Sequence, residues 1–158
     1  MIRVKKLLFI LITSLYFISC TKIDVFEKTD QIQSQQWFYD NKHTFKVAIT
    51  DTASLYNVFI ILRHTDAYNY NNIWLNFGSQ APGDSMHFQN ININLGNDAK
   101  GWDGNGMDDI WEVRKNITTG PVPFKKAGNY TFTISQIMRE NPLKHILNIG
   151  IRVENVNF

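Results

Sequence analysis

From Trp37 onward the chain reads as short alternations of apolar and polar residues, separated by turn-forming residues. In 44–50, Phe45, Val47 and Ile49 fall on one side and Lys46 and Ala48 on the other. In 72–78, Ile73, Leu75 and Phe77 oppose Trp74 and Asn76; in 86–95, Ile91, Ile93 and Leu95 oppose Asn92 and Asn94. Tyr130, Phe132 and Ile134 oppose Thr131, Thr133 and Ser135 in 129–138, and Ile149, Ile151 and Val153 oppose Gly150 and Arg152 in 146–153. A run at 109–117 starts with Ile110 and Trp111. The segment 55–64 is apolar on both sides, with Val58, Ile60 and Leu62 against Phe59 and Ile61, the pattern of a strand buried on both faces. A period of two means successive side chains point to opposite faces of a sheet. The breakers fall between these runs, at 78–84, 96–106, 120–123 and 127–129. The segment 136–143 reads as one short helix or as a loop ended by Pro142. Seven or eight strands at this spacing predict an all-β fold, an antiparallel β-sandwich of jelly-roll or immunoglobulin-like type.

The first twenty residues obey a different rule. Arg3, Lys5 and Lys6 precede an apolar run at 7–18 broken only by Thr13 and Ser14, and Ser19 and Cys20 follow. This is the basic, apolar, small-residue order of a secretory signal, and it is short for a spanning helix. Phe17-Ile18-Ser19-Cys20 resembles the bacterial lipobox, with Phe17 where Leu is usual. That resemblance implies cleavage before Cys20, diacylglycerol on its thiol and a further acyl chain such as palmitate. Neither an Asp at the second mature position nor an acidic pair after the cysteine is present, because Thr21 and Lys22 stand there. The expected location is therefore the cell envelope, lipid-anchored, at the outer membrane and facing the periplasm. The expected organisation is a signal peptide at 1–19, a lipidated N-terminus and tether at 20–35 with room for one edge strand, and a sandwich domain at 36–158.

Composition narrows the function. The 158 residues suit one domain, and 44% hydrophobic against 19% charged residues marks a core-forming chain. The formal charge of +2 includes Arg3, Lys5 and Lys6; without residues 1–19 the balance is 13 basic to 14 acidic. A near-neutral body lacks the basic face that nucleic acid requires. One cysteine leaves no internal disulfide and no Cys-based zinc site.

The stretch 97–111, NDAKGWDGNGMDDIW, is the most distinctive. Its Asp103, Asn105 and Asp108 miss the spacing of an EF-hand, so it reads as a glycine-rich turn with Trp102 and Trp111 packed on a sheet. The histidines at 43, 64, 87 and 145 are scattered, and no HExxH, G-x-S-x-G or phosphate loop occurs. Asp108 and Asp109 are adjacent, so on a strand they diverge. No catalytic residue, metal ligand or cofactor is expected. The binding candidates are Trp74, Trp102, Asp103 and Trp111. Exposed aromatics with nearby carboxylates, including Tyr68 and Tyr70, would also suit a lipid-anchored carbohydrate-binding module; core or rim packing is the alternative. Arg63, Arg139 and Arg152 are expected to pair with carboxylates such as Glu140 or Glu154, or to face solvent.

Several stretches taken in order resemble the gliding-motility lipoprotein GldH family of Bacteroidetes. They are the lipobox at Cys20, the Trp37 segment, LYNV at 55–58 leading to Leu62-Arg63, and YNYNNIWL at 68–75. To these add GWDGNG at 101–106, GNYTF at 128–132, QIMR at 136–139 and IGIRVE at 149–154. The resemblance implies an envelope lipoprotein needed for gliding motility, with partners among the gliding and type IX secretion proteins. It implies no catalytic residues.

Overall fold

The computed structural model describes residues 25–156; the signal segment 1–19 and Cys20 lie outside them. Eight long strands carry the architecture: β1 (Val25–Gln31), β2 (His43–Ile49), β3 (Leu55–Thr65), β4 (Asn72–Gln80), β5 (His87–Asn94), β6 (Ile110–Asn116), β7 (Gly128–Gln136) and β8 (Ile146–Asn155). One sheet runs β1-β8-β3-β6 and ends on the short strand Asn105–Met107; the other runs β2-β7-β4-β5. All pairings are antiparallel. Of the two expected sandwich types this is the jelly roll. Its long strands alternate between sheets, as two Greek keys require, and only β4 and β5 are chain neighbours paired in one sheet.

The edge strand expected within 21–35 is β1. It pairs along its whole length with β8, from Val25↔Glu154 to Gln31↔Asn148. The sheet therefore starts eleven residues before the expected domain boundary at 36, and only the four residues 21–24 separate it from Cys20 in the sequence. Residues 136–143 form no helix. Gln136 completes β7, and its side chain holds the turn by accepting from the Met138 N–H (2.8 Å) and donating to the carbonyls of Trp37 (3.1 Å) and Glu140 (3.3 Å).

Alternation sorts the two faces as the sequence reading expects. Phe45, Val47 and Ile49 of β2 meet Tyr130, Phe132 and Ile134 of β7 and Ile73, Leu75 and Phe77 of β4 in one core with Val58, Ile60, Leu62, Ile149, Ile151 and Val153 from the facing sheet. Each such side chain contributes about 1.5–3 kcal/mol when fully buried. The double-sided burial expected for β3 has a specific cause. Ile61 points away from the core yet is fully buried. In register it lies between Arg114 of β6 and Gly150 of β8. Arg114 reaches across both strands to Glu27 of β1 (3.4 Å) and also bonds Glu112 (2.8 Å). Arg63–Glu112 (2.6 Å), Arg152–Glu27 (2.7 Å) and Arg152–Glu154 (2.8 Å) extend this into a chain of charges across four strands. Singly such exposed pairs are worth about 0–1 kcal/mol; here Arg114 also stands directly opposite the buried Ile61 in register. Burial pushes the Glu112 carboxyl up, but hydrogen bonds from Arg63 and Arg114 outweigh it and hold the group below its ordinary range.

The registers also give the sandwich two unlike ends. At the entry end sit the start of β1, the end of β8 and the connections 50–54, 81–86 and 117–127. At the far end sit the connections 32–42, 66–71, 95–109 and 137–145.

Candidate functional site

The far end gathers most of the residues singled out by sequence. Its scaffold is the small ladder of Gly96–Asn97 with Gly101–Trp102. The Asn97 carboxamide oxygen accepts from the N–H groups of Ala99 (3.1 Å) and Lys100 (2.9 Å), forming an Asx turn. Gly104 takes φ +92°, and a Cβ there would collide with the Glu112 carbonyl, so this position admits only glycine. The Asp-Gly run is thus a turn, and among the described residues no three His, Cys, Asp or Glu side chains come together as a metal site would require.

This turn delivers Trp102 onto the end of the core. Its ring lies edge-on to His64 (4.6 Å between centroids, 67°) and tilted over Tyr68 (6.3 Å). Trp111 is the register partner of His64 on β6, and its ring occupies the space that a Cβ on Gly106 would need. Tyr68 is buried, donates to the Asn72 carbonyl (3.1 Å) and packs edge-on to Tyr70 (5.7 Å). Tyr70 donates to Glu140 (3.1 Å), and that bond raises its pKa. Asp103 donates its N–H to the Leu95 carbonyl (2.7 Å) and accepts from Asn94 (3.1 Å), while Asp98 accepts from Asn71 (2.9 Å). Trp102, Asp103 and Trp111 therefore share one neighbourhood around His64. Trp74 does not belong to it: it stands on the outer face of β4, 43% exposed. The four far-end connections carry seven Asp or Glu against four Lys or Arg, whereas the entry-end connections carry two of each.

His64 is fully buried, and its Nδ1 pairs with the Thr65 carbonyl (2.8 Å). Burial holds its pKa below the ordinary value, outweighing the backbone hydrogen bond. The folded protein thus takes up the His64 proton less readily than the unfolded chain, which is the state favoured as pH falls. Stability is expected to be intact above the unfolded imidazole value of about 6.5 and to decline below it. Melting temperatures measured from pH 7.5 downward should fall, and His64→Phe should flatten that slope. An unchanged slope in the variant would assign the acid sensitivity elsewhere.

Two of the hollows among the described residues lie away from this cluster. One, of about 290 Å³, opens between the sheets at the entry end, lined by Val58, Phe77, Phe124, Tyr130 and Phe132, with Asp84 at its mouth. The other, a shallow one of about 340 Å³, lies outside the second sheet between Tyr39, Asn76, Ser135, Ile137 and Met138. Sequence reading missed Tyr39 and Phe88, which are 44% and 54% exposed. The only available signal was that Phe88 precedes the Asn/Ile alternation of β5.

The family model described as GldH lipoprotein matches residues 24–153. The chain is 29% identical over 159 residues to the gliding motility lipoprotein GldH of Flavobacterium johnsoniae, covering 96% of this chain and 98% of that protein. It is 27% identical over 149 residues to a gliding motility lipoprotein GldH homolog of Christiangramia forsetii, covering 90% of each. Among solved structures, the infectious bursal disease virus VP2 subviral particle aligns with a TM-score of 0.37 at 12% identity, covering 87% of this chain and 34% of that one.

Proposed function

The chain belongs to the GldH lipoprotein family, and on that premise we propose that it is a non-catalytic, lipid-anchored subunit of the cell envelope required for gliding motility. It is held at the periplasmic face of the outer membrane through Cys20 and binds other envelope proteins of the gliding and type IX secretion machinery. The observation that carries this reading is the place where the chain enters the sandwich. β1 begins at Val25, five residues after Cys20. Five extended residues span at most about 18 Å. A chain fixed at Cys20 thus keeps the entry end beside the headgroups and turns the acidic, aromatic far end toward the periplasm. A rim of that sign suits partners with a basic face, because complementary charge steers encounter and sets orientation.

Affinity purification from cross-linked cells tests the partner reading. Recovery of gliding or secretion components through the wild-type chain, and their reduction when Asp98, Asp103, Asp108 and Asp109 are changed together to Asn, is the expected result. Recovery of no such component would refute it. Orientation has its own test. All four tryptophans lie toward the far half of the strands, at Trp37, Trp74, Trp102 and Trp111. In vesicles containing bromine-labelled lipid, the emission of the lipidated protein should stay unquenched, whereas a fluorophore on Gly120→Cys at the entry end should be quenched. The opposite pattern would invert the proposed orientation.

A further inference from the structure

The outer face of the second sheet has a chemistry of its own. Outward positions on β4 are Asn72, Trp74, Asn76, Gly78 and Gln80; those on β5 are Phe88, Asn90, Asn92 and Asn94; those on β7 include Thr131, Thr133 and Ser135. None is a carboxylate, and the outward charge of β2 is Lys46. Carboxamides pair across the strands: Asn72 donates to Asn92 (2.8 Å) and Asn76 donates to Asn90 (2.9 Å). Each such bond uses one of the donor's two amide hydrogens and leaves the acceptor's whole amino group and the donor's own carbonyl available. Two exposed rings stand on this amide floor. Trp74 sits directly opposite Asn92. Phe88 leans over Gly78, where a Cβ would meet its ring and the Thr133 hydroxyl. Thr133 is 7% exposed, and its Oγ1 has no hydrogen-bond partner among the described residues. Four residues of strand, about 14 Å, separate Trp74 from Gly78, and the hollow bounded by Asn76, Ser135 and Tyr39 lies beside Trp74.

We propose that this face binds a neutral glycan, a chain of uncharged pyranose rings. A sugar ring offers an apolar C–H face and a rim of hydroxyls that both donate and accept. Trp74 and Phe88 supply flat apolar platforms, and the unused amide donors and acceptors between them match the hydroxyls. The pattern fits other ligands less well. A protein-docking core is a contiguous apolar patch depleted in polar groups; here the rings are separated by carboxamides. Nucleic acid and acidic polymers need a cluster of cations. Among the described residues this face offers only Lys46 and Lys42, the latter an exposed side chain whose ammonium lies over the Phe88 ring, 5.6 Å from its centroid. Gly78 has a defined part, since the absence of its side chain lets the Phe88 ring pack closely against the sheet. This site is separate from the far-end rim, and the proposal does not depend on the anchoring or partner reading above.

The test uses the mature domain with cellohexaose, laminarihexaose and chitohexaose as probes, followed by tryptophan emission and calorimetry. Saturable binding of at least one is expected. It should weaken at least tenfold in Trp74→Ala and in Asn76→Ala and stay unchanged in Lys125→Ala at the entry end. If Trp74→Ala melts far below the wild type, Phe88→Ala with Asn76→Ala carries the comparison. Absence of saturation by all three probes up to about 10 mM, a level at which even millimolar sites fill, would overturn the proposal. So would binding that survives the Trp74 and Asn76 changes, or a protein partner found to occupy this face in place of sugar.

Discussion

Replacing Cys20 by Ser is expected to move the protein from the membrane fraction to the soluble fraction and to abolish gliding, while the domain itself folds and melts as before. The first part follows from lipid arithmetic. Each buried methylene is worth about 0.8 kcal/mol; one acyl chain binds reversibly, and a second makes attachment stable. No helix among the described residues is long and apolar enough to cross a membrane, so no spanning helix there would take over from the lipid. The second part follows from geometry. The strand registers and the buried core lie within residues 25–156, so the sandwich should survive the replacement of Cys20. What would be lost is proximity, because the link from Cys20 to Val25 is only five residues long. Fractionation with an antibody, a melting curve of the released domain and a spreading assay read the three outcomes. A Cys20→Ser protein that still sediments with envelopes in normally gliding cells would refute the anchor. Loss of the protein altogether is distinguished by the immunoblot, and a melting temperature equal to wild type in the purified domain then restores the comparison.

The same strand β1 marks the boundary between what the sequence discloses and what it hides. Period-two runs were legible because pleating forces side chains to alternate. His43–Ile49 buries Phe45, Val47 and Ile49 and exposes Thr44, Lys46 and Ala48, as its pattern required. β1 was legible only as a suggestion. As an edge strand it is paired on one side, and Lys28 and Asp30 occupy positions that in a central strand would be apolar. Sheet order was not legible at all, since nothing local says that β6 will lie next to β3. Arg63 illustrates the cost: its partner is Glu112, a neighbour only through that pairing, and not Glu140 or Glu154. The binding candidates divide in the same way. The glycines and Asx residues around Trp102 read correctly as a turn, and the turn explains why Trp102 is packed on His64. The amide face around Trp74 needed the register of β4 with β5, which aligns Asn72 and Asn76 with Asn94 and Asn90 and sets the Asn92 carboxamide within reach of Asn72. The Asn alternation at 90–94 was visible; its partner across the gap was not.

Trp37→Ala should cost about 3–5 kcal/mol, the range for emptying a buried aromatic site, and lower the melting temperature by roughly 10–15 °C for a domain of this size. Trp37 is fully buried although it lies in a two-residue strand, Gln36–Trp37 paired with Leu143–Lys144. Four residues from two stretches of the chain, 41–43 and 136–143, converge on it. Its indole N–H donates to the Asn41 carbonyl (2.7 Å), and its own carbonyl accepts from the Gln136 side chain (3.1 Å). Its ring packs edge-on to His43 (5.7 Å), and Leu143 across the short ladder is also fully buried. Truncation would open a cavity that surrounding strands, fixed by their registers, cannot close, and would leave the Asn41 carbonyl without its donor. Trp37→Phe separates the two effects: it keeps much of the packing and loses the hydrogen bond, so its cost should be well below half that of Ala. Trp74→Ala is the matched control. That ring stands 43% exposed on an outer face, and its loss should shift stability by only about 1 kcal/mol. Equal melting temperatures for the Trp37 and Trp74 variants would mean that the turn joining β1 to β2 does not belong to the cooperative core.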